Sequence, residues 1–397
     1  MKISFLCGSL ESGRDGVGDY VRRFAAHLER MDHRVQLVAL ADQFVEGSSE
    51  ATDDRPSGGL FRLGREAWRR GALQEVERRV RGFEPDVLSL QMVCYAYAQR
   101  GVMAGCAARF ARLGTLAPLR HLMLHELWIG EATEETLRAR LLGRMQRHFL
   151  LQSVDAWSPH RVHTNSSVYV ELLRRAGIGC SRLPLPGNIP RRPTSAAQAR
   201  AALLQRLGLA AEADSGLYLA GVFGSIHPEW EDHRSLEQLG TALHRQGRRL
   251  VLLQIGHAGP VGDAIWDRVA LRLEPHIPCT RLGGMSPEQI STLLAGLDLG
   301  IATSPWRLIE KSGTVAAFVE HDIPVLVTRD DYRLRRGPTP QPYGHPLVML
   351  AHGRDLQDLL LPGTRHHTSG PGDDPYAQFI TALARPSAQH RASDLPG

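Results

Sequence analysis

The sequence predicts an α/β protein of two Rossmann-like domains whose parallel sheets face each other across a cleft. Short apolar runs rich in Val, Leu and Ile alternate with longer amphipathic stretches, which is typical of parallel strands joined by crossover helices. The chain has 397 residues, 43% of them hydrophobic, and this is enough for two separate cores. The segment LPLPGNIPRRPTSAAQ, dense in Pro and Arg, divides the alternating pattern into two series and indicates an interdomain linker.

The first series predicts an N-terminal domain over residues 1–186. Its predicted strands are ISFLCGSL, RVQLVAL, PDVLSLQMV and RHLMLHE. The amphipathic runs between them predict helices at FAAHLERM and EAWRRGALQEVERRVRGF. A further strand and helix are predicted in AWSPHRVHTNSSVYVELLRRAGI, which ends at Gly177.

The pattern restarts after the linker and predicts a second domain over residues 187–370. Its predicted strands are LYLAGVFGSI, RLVLLQIGH, CTRLGG, LDLGIATS and IPVLVTRD. Helices are predicted between them at HRSLEQLGTALHRQ, SPEQISTLLAGL and GTVAAFVEH. Residues 371–397 are expected to form a closing helix, YAQFITALAR, and a flexible tail.

Amino-acid composition limits the classes of ligand and the cellular compartments that fit this sequence. The net charge of +5 is mild for this length, and the arginines are spread along the chain, which favours anionic small molecules or an anionic membrane face over nucleic acid. The five cysteines have no metal-ligand spacing and indicate a reducing cytoplasm. No apolar stretch approaches the roughly 18 residues of a membrane span, and the apolar N-terminal run is too short for a signal peptide.

The two lysines are the most informative residues of the sequence. Of 47 Lys and Arg residues, only Lys2 and Lys311 are lysines. An ammonium is a compact charge that reaches a phosphate where a planar guanidinium does not fit. Lys311 follows a predicted strand and turn, and Ser312, Gly313 and Thr314 open a predicted helix. A lysine beside a helix N-terminus predicts an anion site, although a solvated loop lysine is the alternative.

A glycine loop follows the first predicted strand. Gly13, Gly16 and Gly18 come just before a helix, where their small size lets backbone amides approach an anionic or hydroxylated ligand. The spacing differs from the dinucleotide-binding fingerprint, and a plain strand-to-helix turn has a similar sequence.

The order of these features resembles the retaining, nucleotide-sugar-dependent glycosyltransferases of GT-B architecture, in particular glycosyltransferase family 4, over roughly residues 1–330. The matching segments are GVGDYV, PDVLSLQ, LHELW, HTNSSVYVELLRRAGI with LPLPGNI, GGMSPEQISTLLAGLDLGIATSPW and EKSGTVAAFVEHDIPVLV. The resemblance implies transfer of a sugar from a nucleoside-diphosphate donor to an acceptor hydroxyl, with retention and without a cofactor. It also implies that the first domain lies on the acceptor side and the second binds the nucleotide sugar.

The resemblance implies roles for several residues. His125 in LHELW matches a histidine that lies close to the donor sugar, although a histidine that ends a strand often has a structural role. Gly16 and Gly18 match a glycine loop that faces the acceptor and the donor phosphate. Glu310 matches a glutamate that contacts donor sugar hydroxyls, and Gly313 matches the glycine that opens the following helix.

Two departures from the family pattern change the expected site. Phe318 stands where the family has its second, ribose-binding glutamate, and Glu320 falls on another face of the helix. The Arg and Lys that usually follow the first strand of the second domain are missing from GVFGSIHPEWEDH.

Because that pair is missing, we expect Lys311 and the amides of Gly313 and Thr314 to hold the leaving diphosphate. Ser312, Ser225 and His227 are expected to line the same site. Asp53-Asp54 and Asp330-Asp331 fall in connecting segments rather than in a D-x-D metal motif, so no metal is predicted.

Three other functions fit the sequence less well. The missing cations and glutamate suggest a non-catalytic GT-B protein that binds a nucleotide or a glycan, and a sugar-nucleotide epimerase on the same fold is a weaker alternative. A glycoside hydrolase would need paired carboxylates, such as Glu126 with Glu131 or Glu310, but no spacing supports one.

The acceptor class stays open among glycans, lipid-linked glycans, natural products and proteins. The basic amphipathic segment FRLGREAWRRGALQEVERRVRGF suggests peripheral contact with an anionic membrane, although such a segment is more often a crossover helix. Trp230 and Trp306 are candidates to stack on a nucleobase or to fill the core.

Overall fold

The computed structural model describes residues 1–50, 56–209, 216–231, 233–351 and 374–385. The described chain divides into two compact units. The first contains residues 1–184, 333–340 and 374–385, and the second contains residues 185–332 and 341–351.

The first unit contains an eight-stranded sheet. Its strands are β1 Lys2–Cys7, β2 Arg34–Asp42, β3 Ser48–Glu50, β4 Leu60–Gly64, β5 Val87–Met92, β6 Leu119–Leu124, β7 Arg161–Thr164 and β8 Ser181–Arg182. The order is β3-β4-β2-β1-β5-β6-β7-β8; β3 runs antiparallel to β4, and the other pairs are parallel. The connecting helices are α1 Gly16–Arg30, α2 Arg65–Arg69, α3 Gln74–Phe83, α4 Cys94–Tyr97, α5 Cys106–Gly114, α6 Leu137–Trp157 and α7 Ser167–Arg175.

The central strands of this sheet are buried on both faces. Leu6 of β1 lies opposite Val38 of β2 and Leu90 of β5, and none of the three is exposed to solvent. Continuous apolar runs of this kind, covered by helices on both sides, are what parallel strands require. The apolar segments that predicted these strands therefore form the buried core of the sheet.

The amphipathic segment FRLGREAWRRGALQEVERRVRGF begins in β4, and the single helix predicted in it, EAWRRGALQEVERRVRGF, forms two helices, α2 and α3. Gly71, with φ +73°, lies between the two helices and adopts a backbone conformation that favours glycine. The apolar side chains of this segment are buried in the first unit, and they are Phe61, Trp68, Leu73, Val76, Val80 and Phe83. They therefore act as core residues. Among the described residues, no helix is both long enough and apolar enough to cross a bilayer.

A row of buried polar side chains crosses the middle of this sheet. The Ser89 hydroxyl lies 2.7 Å from His121 Nδ1, and His121 Nε2 lies 2.9 Å from His163 Nδ1. The Gln91 amide donates to Ser89 Oγ at 2.7 Å. Burial lowers the pKa of His121 well below its ordinary value and lowers that of His163 to about 4. Both imidazoles are therefore neutral in the folded protein near pH 7.

We expect these histidines to make the protein sensitive to acid. An unfolded imidazole takes up a proton below its ordinary pKa of 6.5, whereas folded His163 stays neutral until about 4, so acid favours the unfolded chain. The free energy of unfolding of wild type should fall by about 2 kcal/mol more than that of His163→Asn between about pH 7.5 and pH 5. Urea unfolding at the two pH values measures this difference.

The matched control is His148→Asn, because His148 is exposed on α6. This variant should lose as much stability in acid as wild type. An acid loss of equal size in His163→Asn and wild type would contradict the assignment of the buried neutral imidazole.

The second unit contains a six-stranded sheet in which every described pair of strands is parallel. Its strands are β9 Leu217–Phe223, β10 Arg249–Ile255, β11 Cys279–Gly283, β12 Leu299–Ala302, β13 Val325–Val327 and β14 Val348–Leu350, in the order β11-β10-β9-β12-β13-β14. Its helices are α8 Ala196–Arg206, α9 Arg234–Arg245, α10 Gly259–Leu273, α11 Pro287–Ala295 and α12 Gly313–Glu320. The predicted α/β class with two Rossmann-like domains is therefore confirmed.

Two large aromatic side chains fill the core of the second unit. Trp230 is fully buried, and its indole Nε1–H donates to Thr328 Oγ1 at 3.0 Å. Phe318 is also fully buried and lies against Gly300, where an added Cβ would come within 2.7 Å of the phenyl ring. Trp230 is therefore a core residue and does not stack on a base.

The end of the described chain returns to the first unit as α13 Pro375–Ala384. The ring of Tyr376 stacks on His27 with centroids 3.7 Å apart, and Phe379 packs against Phe5 and Phe24. The predicted closing helix coincides with α13, and the predicted flexible tail, residues 386–397, lies outside the described residues.

Residues 333–340 also belong to the first unit, although they fall inside the range predicted for the second domain. Backbone hydrogen bonds join Thr133 N to Arg333 O at 3.0 Å and Arg335 N to Glu131 O at 2.8 Å. Ala132 and Leu334 form an antiparallel bridge between these two contacts. Loop residues with no strand pattern make this connection, so periodicity could not predict it.

Candidate functional site

The loop that follows β9 reaches the carboxyl edge of the second sheet. Gly224 has φ +67°, which favours glycine and turns the chain sharply after the strand. Ser225 is exposed and His227 is half-buried. The backbone N–H of His227 donates to Thr303 Oγ1 at 3.1 Å, just beyond β12. This bond fixes the loop to the neighbouring strand.

The N-terminus of α12 lies beside this loop. The Ser312 hydroxyl caps the helix by accepting from Val315 N at 3.3 Å, and it lies 2.8 Å from Thr314 Oγ1. A Cβ at Gly224 would lie 3.3 Å from the Thr314 methyl group, so the loop and the helix touch. The first amides of α12, which include those of Gly313 and Thr314, have no partner within the helix and favour an anion.

Lys311 and Glu310 end the 3₁₀ turn Trp306–Lys311, directly before α12. Both are half-buried. The Lys311 charge acts on His227 and helps to lower the pKa of its imidazole. The Glu310 carboxylate accepts from Tyr343 N at 3.1 Å, within the same unit. The structure therefore brings Lys311, the α12 N-terminus and His227 to one edge of the second sheet.

Arg329 is a cation of this edge that the sequence analysis missed. It follows β13, and its side chain is only 8% exposed. Its guanidinium donates to His227 Nδ1 at 2.8 Å, to Glu229 Oε2 at 2.9 Å, and to Asp331. The sequence feature that could have identified Arg329 is its place at the carboxyl end of the predicted strand IPVLVTRD.

The contact with Arg329 determines which nitrogen of His227 carries the proton. A guanidinium has donors and no acceptor, so Nδ1 of His227 must accept. Burial is the largest cause that lowers the pKa of His227, and the Arg329 charge is the next. The ring is therefore neutral near pH 7 and carries its proton on Nε2. A neutral imidazole with a fixed Nε2–H can donate to a phosphate oxygen.

His125 lies at the carboxyl end of β6 in the first unit and is buried. Its Nε2 lies 2.8 Å from Gln91 Oε1, and its ring meets Tyr20 edge-on with centroids 4.8 Å apart. Because the Gln91 amide nitrogen donates to Ser89, its oxygen faces His125, whose Nε2 must carry the proton. His125 thus ends the buried row that continues through Ser89 to His121.

The glycine loop before α1 is closed by its own carboxylates. Gly16 is the first residue of α1, and Asp15 caps the helix by accepting from Gly18 N at 2.7 Å. The Asp19 carboxylate accepts from Gly13 N at 2.9 Å. A Cβ at Gly18 would lie 2.7 Å from Ser9 O, so close backbone packing requires glycine there. The amide of Gly18 is therefore already paired in this structure.

The residues at which the sequence departs from the pattern of glycosyltransferase family 4 contact other parts of the second unit. Phe318, at the position of the second glutamate, points into the core. Glu320 accepts from Gly187 N at 2.8 Å and so joins α12 to the segment that precedes α8.

Asp330 accepts from Arg307 at 3.1 Å, and Asp331 accepts from Arg329. Within the described residues, no group of three or more His, Cys, Asp or Glu side chains is arranged around a metal position.

No protein-family model matches the chain, and no curated protein sequence matches it. Solved structures do match its fold. WaaG, a glycosyltransferase involved in lipopolysaccharide biosynthesis, superposes with a TM-score of 0.52 and 14% identity over 96% of this chain and 92% of that chain. The catalytic domain of starch synthase IV from Arabidopsis thaliana, bound to ADP and acarbose, gives a TM-score of 0.50 and 13% identity over 98% and 96%. The chain therefore has the GT-B fold.

We expect the charge of Arg329 to control His227. In Arg329→Gln, the pKa of His227 should rise, because the neighbouring positive charge is gone and Glu229 and Asp331 keep their negative charges. An NMR titration of the His227 Cε1–H resonance measures this change. Arg281→Gln is the matched control, since Arg281 pairs with Asp267 at 2.9 Å elsewhere in the unit. An unchanged His227 titration in Arg329→Gln would show that the two side chains do not interact in solution.

Proposed function

We propose that the chain is a glycosyltransferase that moves a sugar from a nucleoside-diphosphate donor to an acceptor hydroxyl. One observation carries the proposal: Lys311, the N-terminus of α12 and the pair His227–Arg329 meet at one edge of a parallel sheet. Ligands of open parallel sheets bind beyond the carboxyl ends of the strands. A doubly charged diphosphate matches this set of positive charge and N–H donors.

Each group has a distinct part in the proposed reaction. The sugar leaves a nucleoside diphosphate, so negative charge develops on the phosphate oxygens as the bond breaks. The Lys311 ammonium and the amides of Gly313 and Thr314 stabilise that charge. His227 donates from Nε2, and Arg329 keeps that proton in place by donating to Nδ1. Ser225 and Ser312 add hydroxyl donors beside the phosphates.

The fold neighbours support a nucleotide donor. WaaG is a glycosyltransferase, and starch synthase IV was solved with ADP bound. Retention at the anomeric carbon is proposed from the resemblance to glycosyltransferase family 4. Catalysis without a metal is proposed because Lys311, His227 and the helix amides can supply the charge stabilisation that a divalent ion would provide. The donor is the substrate, and no further cofactor is proposed.

The remaining site residues are assigned to the sugar and the acceptor. Glu310, directly before Lys311, would contact donor sugar hydroxyls, and its bond with Tyr343 N orients its carboxylate. His125 would contact the transferred sugar, with its ring held by Gln91 and Tyr20. Gly16 would let the chain approach the acceptor closely, and Gly18, which packs against Ser9 O, would hold the start of α1 in place for this contact. All five cysteines are free thiols, which supports a reducing cytoplasm as the location.

A second candidate function is binding of a nucleotide or glycan without chemistry. The buried Phe318 favours it, because no carboxylate stands at the position where family 4 enzymes hold the ribose. Release of nucleoside diphosphate from a panel of nucleotide sugars separates the two functions. Release with any donor supports the transferase, and tight binding of a nucleotide sugar without release supports the binding protein.

We expect Lys311→Ala to lower turnover about ten- to hundredfold, because a charge-assisted bond to the leaving group contributes about 1.5–3 kcal/mol. Lys311→Arg should recover only part of the loss, since a planar fork does not replace a compact ammonium. The rate of nucleoside-diphosphate release measures both effects.

The other lysine provides the matched control for this prediction. Lys2 pairs with Glu84 at 3.5 Å in the first unit, and Lys2→Ala should keep wild-type turnover. Wild-type turnover in Lys311→Ala would remove Lys311 from the proposed site.

A further inference from the structure

A cavity of about 440 Å³ lies within the first unit, apart from the residues assigned above. Its lining residues are Arg65, Arg69, Tyr95, Tyr97, Ala98 and Gln99. The arginines belong to α2, which begins directly after β4, and the other residues lie in and after α4, which follows β5. Because β4 and β5 both run parallel to the central strands, their carboxyl ends lie at the same edge of the sheet.

Aromatic packing joins the two walls of the cavity. The Trp68 ring of α2 lies 5.3 Å from the Tyr97 ring of α4, and both side chains are buried. Tyr97 also donates its hydroxyl to Gln91 O at 3.3 Å. These contacts fix the position of α2 relative to α4, and they therefore also define the shape of the cavity between the two helices.

Arg65 is the unusual residue of this cavity. Its Nε is buried from water and has no hydrogen-bond partner in the described structure. A desolvated donor of a charged group without a partner costs free energy, because it has lost its bonds to water and gained none from the protein. Arg140 and Arg335 also have a buried Nε without a partner, whereas the guanidinium of Arg62 donates to Asp42 at 2.7 Å. Arg65 as a whole is half-buried and lines the cavity, so the accessible part of its guanidinium can bind a ligand anion there.

The surroundings of Arg65 are positively charged. Arg69, also on the cavity wall, pairs with the exposed Glu66. Arg109 lies over the Trp68 ring at 5.2 Å and donates to the backbone oxygen of Arg69 at 2.9 Å. Three guanidinium groups and Glu66 thus stand around the cavity, and the charge of Asp15 also acts on Tyr97 of its wall, so cations outnumber carboxylates among these groups by three to two.

Tyr95 gives the cavity an apolar wall as well. Its side chain is 41% exposed, and its hydroxyl accepts from Gln146 Nε2 at 3.0 Å, which fixes the ring. An exposed aromatic ring that is held in place can pack against the apolar face of a sugar ring or another ring. The cavity therefore combines a half-buried guanidinium, whose Nε has no partner among the described residues, with a fixed aromatic surface.

We propose that this cavity is an acceptor subsite for a ring-bearing molecule that carries a phosphate or a carboxylate. Arg65 binds the anionic group, Arg69 adds charge, and the Tyr95 ring contacts the ring of the ligand. The acceptor role rests on the proposed glycosyltransferase function, whereas the binding of such an anion does not.

The first experiment tests why Arg65 is present. Arg65→Met keeps most of the side-chain volume and removes the guanidinium with its unpartnered Nε. If the residue serves a ligand, the ligand-free variant should unfold at the same temperature as wild type or a few degrees higher, by about 2–4 °C. A clear fall in the unfolding temperature would show a structural role and overturn the proposal. Arg65→Gln is the second variant should Arg65→Met fail to fold.

The second experiment is calorimetric titration with glucose 6-phosphate, glucuronate and glucose. We expect at least one of the two anions to bind wild type about tenfold or more tightly than glucose, and Arg65→Gln to lose that preference. A preference for glucose 6-phosphate identifies a phosphate-bearing ligand, and one for glucuronate identifies a carboxylate. Equal binding of all three sugars, or no binding, would contradict the proposal.

A matched control separates a local effect from a general effect of charge. Arg81 is exposed in the last turn of α3, and Arg81→Gln removes the same charge away from the cavity. It should keep the wild-type preference for the anion. The titrations contain no nucleotide, so they stay valid if the transferase proposal fails. Conversely, nucleotide binding that persists while the anion preference is absent would reject only the subsite.

Discussion

The parallel direction of the strands is the constraint on which the candidate sites depend. In the second sheet, β9, β12 and β13 are neighbours that run the same way, so the segments that follow them leave from one edge. His227, the turn before α12 and Arg329 come from segments up to about a hundred residues apart, as the contact between Arg329 and His227 shows. The same constraint places the cavity beside Arg65 and the ring of His125 at the corresponding edge of the first sheet.

Histidine protonation is controlled by different partners in the two units. In the second unit, Arg329 donates to Nδ1 of His227, so the proton stays on Nε2 and the ring can donate outward. In the first unit, Gln91 accepts from Nε2 of His125, and the row behind it ends in imidazoles that burial keeps neutral. Each ring is therefore oriented by a neighbouring side chain that fixes a proton on its Nε2. Such positioning lowers the cost of ordering a polar group when the ligand binds.

Much of the fold could be predicted from the sequence because buried parallel strands are continuous apolar runs. The runs around Leu6, Leu90 and Ile301 each predicted a strand that the structure contains. β4 lacks that signal and was missed, and α2 and α3 were predicted as one helix because no pattern marked the turn at Gly71. The scarcity of lysine singled out Lys311, but Arg329 was hidden among 44 other arginines and acquires its role only through folding. The unpartnered Nε of Arg65 is likewise a fact of packing that no sequence pattern encodes.

The central claim is that the edge formed by Lys311, α12 and His227 binds a nucleoside diphosphate. Calorimetric titration of UDP, GDP, ADP and TDP into wild type and Lys311→Ala tests it most directly. The account predicts that wild type binds one of these nucleotides selectively and that the variant loses most of the affinity, because a charge-assisted contact is removed. Binding of none of the four nucleotides by folded wild type would contradict the account, and equal binding by the variant would place the diphosphate elsewhere.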